Sequence, residues 1–101
     1  MTWYCINLGN KEIDLLNDLF RSSPFLLQKN EPNNEYRVYA EERNTIQPFC
    51  MISYSRKNMA VYPAMIERLP INIQADIRER LRQVNGLEKA VSDLVNFPSS
   101  A

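Results

Sequence analysis

A chain of 101 residues, 45% hydrophobic and 24% charged, has apolar material for one core and too little length for two. Its twelve basic and twelve acidic side chains cancel, so no long-range field draws it to nucleic acid, an anionic membrane or an acidic partner, and little repulsion opposes self-association. It has no apolar run of about twenty residues to cross a bilayer.

The expected organisation is one domain over residues 1–97 with a frayed tail at 98–101. The N-terminal residues lack the basic start and small-residue cleavage site of a signal peptide, so a cytoplasmic protein is expected.

Thr2 to Leu8 is rich in aromatic and β-branched residues and reads as a strand bounded by Gly9. Asn10 is expected to cap a helix in which Ile13, Leu16, Leu19 and Phe20 recur at helical spacing. Ser22, Ser23 and Pro24 end it, because the residue before proline leaves the α region. Phe25 to Lys29 is a second strand. Asn30 to Asn34 carries proline and asparagine, both turn formers. Glu35 to Glu42 alternates, with Tyr36, Val38 and Ala40 on one side and Arg37, Tyr39 and Glu41 on the other, as a half-buried strand does. Arg43 to Pro48 is a polar connection.

Phe49 to Tyr54 and Met59 to Tyr62 flank the polar Ser55–Asn58 and form a hairpin closed by Pro63. Ala64 to Leu69 suits a short helical turn. Asn72 is the expected cap of the C-terminal helical region, whose apolar positions are Ile73, Ile77, Leu81 and Val84, then Leu87, Val91, Leu94 and Val95. Between these sets, Gly86 suits a left-handed helix end, and Asn85 and Glu88 have capping-box spacing. Two helices, or one sharply bent, are favoured over one continuous helix. The fold class expected is α+β: a mainly antiparallel sheet of four to five strands, with an N-terminal helix and a C-terminal helical pair on one face.

The chemistry is limited by what is missing. The chain contains no histidine, which removes the commonest general base near neutral pH and the commonest metal ligand. Two distant glycines cannot form a phosphate-cradling loop. Cys5 and Cys50 are expected to be reduced, buried thiols. No catalytic residue, metal site or cofactor is expected, and carboxylate pairs such as Asp14 and Asp18 read as solvated helix charges. Arg80 falls in the apolar stripe of the C-terminal helices. It is expected to snorkel at the edge of the core or to pair with an acid across a helix interface.

The functional expectation is a non-enzymatic protein-binding module of regulatory, inhibitor or adaptor type. Exposed tyrosine and arginine favour protein interfaces, which singles out Arg37, Tyr39, Tyr54, Tyr62, Arg78 and Arg82. A homodimer through the C-terminal stripe is a second expectation, carried by Ile77, Val84, Leu87, Val91 and Leu94, which follow a heptad-like spacing. The alternative from another class is a nucleic-acid-binding accessory protein that uses the sheet aromatics with Arg78, Arg82 and Lys57.

Overall fold

The computed structural model describes residues 2–41 and 47–98. In chain order the elements are β1 (Tyr4–Asn7), α1 (Asn10–Leu19), β2 (Phe25–Asn30), β3 (Glu35–Ala40), β4 (Cys50–Ser53) and β5 (Asn58–Val61). The helices α2 (Pro63–Arg68), α3 (Ile71–Leu81) and α4 (Leu87–Ser92) follow. The strands form one antiparallel sheet in the order β1-β5-β4-β3-β2. The fold is α+β, with the helices on one face. Two consecutive hairpins, β2-β3 and β4-β5, supply four strands, and β1 adds to the free side of the last one.

Register assigns every strand residue to a face. Tyr4, Val61, Cys50, Val38 and Leu27 form one cross-strand row, and Ile6, Met59, Ile52, Tyr36 and Lys29 form another. The centres of both rows are buried against the helices. The row between them holds Cys5, Ala60, Met51, Arg37 and Gln28, so it belongs to the opposite face. Phe49 departs from this alternation. Its N–H donates to the Val38 carbonyl at 3.0 Å, although Val38 is already paired with Cys50. Two residues thus oppose one, as in a β-bulge, and Phe49 turns into the core. There it meets Phe20 and Phe25 edge-on at 6.1 and 5.7 Å between ring centres.

The helix starts differ from expectation. Gly9, with extended backbone, caps α1, and Asn10 is already helical. The Glu12 carboxylate folds over Gly9 into the space that a side chain there would fill. Pro70, not Asn72, precedes α3, and the Ile73 and Gln74 N–H groups both donate to its carbonyl at 3.0 Å. The fixed φ of proline starts the helix early and leaves Asn72 inside the first turn. Gly86 is left-handed, with φ 76°, and separates α3 from α4 as two helices. The Asn85–Glu88 capping box does not form: α4 has no side-chain cap, and the Glu88 carboxylate is held by Arg78 and Ser92 instead.

The C-terminal stripe is the inner surface of the helical layer. Ile77, Val84, Leu87 and Val91 are all but inaccessible to solvent and belong to the same core cluster as Val38, Ile52 and Val61, while Leu94 packs against it half-buried. These residues face the chain's own sheet, so the expected dimer surface is used within the monomer. Heptad-like spacing marked a buried face, and the sheet occupies it.

Cys50 is buried as expected, and burial raises its thiol pKa. Cys5 is exposed, because it lies on the edge strand and on the face without helices. With β5 between β1 and β4, the two thiols are on strands that do not touch, and both are free. The tail expected at 98–101 lies, beyond Pro98, outside the described residues, as does most of the 43–48 connection.

Candidate functional site

With the helices on one face, the other face of the sheet is uncovered among the described residues. At its β2-β3 end, Leu26 stands opposite Tyr39, and Gln28 stands opposite Arg37, which is in turn opposite Met51. Leu26 is 53% exposed, whereas Tyr39, Arg37 and Met51 are half-buried by one another and the sheet. Arg37 lies 4.0 Å from the Glu35 carboxylate, two residues along the same face, a loose pair at the limit of ion-pair distance that holds the guanidinium weakly. Ala60, in the middle of this face, is screened by its neighbours and stands apart from the main core. At the far edge, alternation puts Trp3 and Tyr62 on this face, with ring centres 5.1 Å apart.

The singled-out residues therefore do not form one site. Arg37 and Tyr39 are adjacent on the open face, and Tyr62 shares that face across the sheet. Tyr54 is on the opposite side, because it stands two residues beyond the buried Ile52. Its hydroxyl donates to the Asp14 carboxylate of α1 and accepts from Asn17 Nδ2 at 3.2 Å. Its ring packs edge-on against Tyr36. The Asp14 hydrogen bond raises the Tyr54 pKa by holding the phenol proton, and desolvation acts the same way. Tyr54 ties α1 to the sheet.

Arg78 and Arg82 are on α3, in the helical layer on the other side of the molecule from the open face. Arg78 Nε lies 2.6 Å from Glu88 of α4, and its guanidinium sits 5.8 Å from the Phe97 ring centre. Arg82 pairs with Glu79 at 2.7 Å. They flank a shallow groove of about 220 Å³ lined also by Ile71, Gln74 and Phe97. Both arginines already hold a carboxylate, so the groove offers little unbalanced positive charge. The hydrogen bond from Arg78 lowers the Glu88 pKa. Lys57 is at the β4-β5 turn in a left-handed conformation, φ 52°.

Arg80 makes the densest set of polar contacts. Its Nε bonds Asp76 at 2.7 Å, one turn back on α3. Its terminal nitrogens donate to the carbonyls of Leu19, Ser22 and Ser23 at 2.6, 3.1 and 2.8 Å. The acid it pairs with is on its own helix, and its other partners are backbone oxygens and the Ser22 hydroxyl where α1 ends.

Among the described residues, no three His, Cys, Asp or Glu side chains are grouped to hold a metal ion. No helix among them is long and apolar enough to cross a membrane. The class defined by these observations is a small α+β domain whose five-stranded antiparallel sheet has helices on one side and an open, partly apolar surface on the other. Comparison of the chain with protein-family models, curated proteins and solved structures found no match.

Proposed function

We propose that this protein is a protein-binding module of regulatory, inhibitor or adaptor type, and that the open sheet face at Leu26, Arg37, Tyr39 and Met51 is its docking surface. The observation that carries the reading is the cross-strand pair of Leu26 and Tyr39. A large aliphatic side chain 53% exposed stands beside a tyrosine and an arginine on a flat, rigid strand surface. Apolar area rimmed by polar groups is a feature of interaction sites, and tyrosine and arginine supply a large share of interface hot spots. Backbone hydrogen bonds to both neighbours hold β3 in place, so its backbone loses little freedom on binding.

The nucleic-acid alternative needs the sheet aromatics and the α3 arginines on one surface. The fold puts them on opposite sides, and acids neutralise both arginines, so this reading has less support.

The test is site-specific photocrosslinking in the native host. A photoreactive residue at Leu26 or Tyr39 should capture one discrete protein, and the same residue at exposed Leu15 on the helical side should not. Tyr39→Ala should abolish capture at Leu26 while leaving the chain folded. Equal capture from both faces, or capture that persists in Tyr39→Ala, would overturn the assignment. Binding of single-stranded nucleic acid that weakens steeply with salt would favour the alternative instead.

A further inference from the structure

We infer that β1 is a homotypic pairing edge, through which two copies of this chain join their sheets antiparallel about Cys5. The inference rests on the edge of the sheet and is independent of the docking role given to its open face.

The hydrogen-bond polarity of β1 follows from its register. Leu8 N–H donates to the Lys57 carbonyl at 2.9 Å, extending the pairing in which Asn7 meets Asn58. In an antiparallel ladder every second residue points its N–H and C=O at the partner strand. Leu8, Ile6 and Tyr4 therefore bond β5, and the backbone groups of Asn7, Cys5 and Trp3 point out from the sheet. Among the described residues nothing covers them.

The two edges of the sheet differ in how they are protected. β2 carries Lys29, paired with Glu31 at 3.0 Å, with Pro32 next in the chain. Charge and proline are the usual means by which an edge strand discourages further pairing. From Thr2 to Asn10 there is no charged residue, and Tyr4 is 45% exposed. An edge of this kind favours an added strand.

A second copy fits for a reason visible in the register. Antiparallel pairing with Cys5 opposite Cys5 places Tyr4 opposite the second copy's Ile6, and Thr2 opposite its Leu8. All four side chains are on the helix-side face of the sheet. On that side Thr2 and Tyr4 border a hollow of about 360 Å³ closed by Pro63, Ala64 and Glu67 of α2. The incoming Ile6 and Leu8 thus cover the exposed tyrosine and reach the hollow, and the two-fold axis repeats the arrangement. Outward-pointing Cys5, Trp3 and Asn7 meet only outward-pointing residues, so every added backbone bond has a partner. The product is one continuous sheet made from two five-stranded sheets.

Light scattering on the wild-type chain up to about 1 mM, beside Cys5→Lys, Asn7→Lys and Gln28→Lys, tests this. Cys5 and Asn7 are exposed on the open face, so lysine there leaves the fold intact; at Cys5 it faces its own copy across the two-fold axis, and at Asn7 it puts a charge on the pairing edge opposite the second copy's Trp3. Wild type and Gln28→Lys should dimerise alike, and both β1 variants should dissociate at least about tenfold more readily. Mild oxidation of the wild type should link the two Cys5 residues and no others. A wild type that stays monomeric throughout, a dimer indifferent to both β1 lysines, or a dimer that fails to link through Cys5 would overturn the inference.

Discussion

The Arg80 guanidinium carbon lies 4.6 Å from the centre of the Phe25 ring, while its N–H groups reach the carbonyls of Leu19, Ser22 and Ser23. One side chain from α3 thus closes the C-terminus of α1, fixes the turn into β2 and covers the aromatic cluster of Phe20, Phe25 and Phe49. The last carbonyls of a helix lack intrahelical donors, and a planar fork can satisfy several at once where an ammonium cannot.

Arg80→Lys should therefore destabilise the protein by about 2 kcal/mol, since the stacking and most of the fork are lost while the charge is kept. Arg80→Met should cost at least as much, because the Leu19 and Ser23 carbonyls lose the arginine donors and gain none. Chemical denaturation measures both. A lysine variant as stable as wild type would show that charge alone matters at this position.

At Gly86 the left-handed backbone, φ 76°, is the sole obstacle to a side chain, since an added Cβ would meet nothing within 4 Å. Gly86→Ala should cost about 1 kcal/mol and Gly86→Asn less, as asparagine tolerates this region better. Thermal unfolding with the order alanine below asparagine below glycine is the expected result. Equal stability of all three would mean that the α3–α4 break can straighten.

The Arg78–Glu88 pair makes stability depend on pH in a definite direction. Arg78 lowers the Glu88 pKa below its ordinary 4.5, so the folded state binds the proton more weakly than the unfolded state. The pair's contribution is then full above the unfolded value and is lost as pH falls through the folded one. Glu88→Gln should melt below wild type at pH 7, and the gap should close in acid. A gap independent of pH would remove the ion pair as its cause.

Tyr54→Phe should destabilise by about 1–2 kcal/mol, because it removes the acceptor of buried Asn17 Nδ2 as well as the donor to Asp14. Asn17 Oδ1 has no partner among the described residues, so the buried amide would be left without a hydrogen bond. In wild type the Tyr54 pKa is raised above its ordinary 10.0, chiefly by the Asp14 hydrogen bond. The contribution of this contact should thus be complete below pH 10 and fade as pH rises through the raised value. Ultraviolet titration should show one late-ionising tyrosine fewer in the variant than in wild type.

The strands were legible where side chains alternate, as from Tyr36 to Glu41, and turns where proline or asparagine restricts the backbone. The same periodicity misdirected the C-terminal stripe. Spacing records that Leu87 and Val91 must be covered, but the covering surface is the distant strands β3, β4 and β5. Asn10 and Asn72 suit a cap by residue type, yet a folded-back glutamate at Gly9 and the fixed dihedral of Pro70 moved both helix starts. Tyr54 could have been placed from sequence, since it is two residues from Ile52 and so must share its buried side. The clamp at Arg80 was beyond sequence reading in detail. The odd residue in the stripe was visible, but its partners are roughly sixty positions away and are carbonyls, which every residue carries.

The helical layer completes the core with Ile73, Ile77, Leu81, Leu87, Val91 and Val95, all of which follow β5 in the chain. All five strands precede these residues in the chain, so the sheet has an oily side that only the later helices cover. A chain cut after Val61 would keep every strand but leave that side bare, and should aggregate instead of folding.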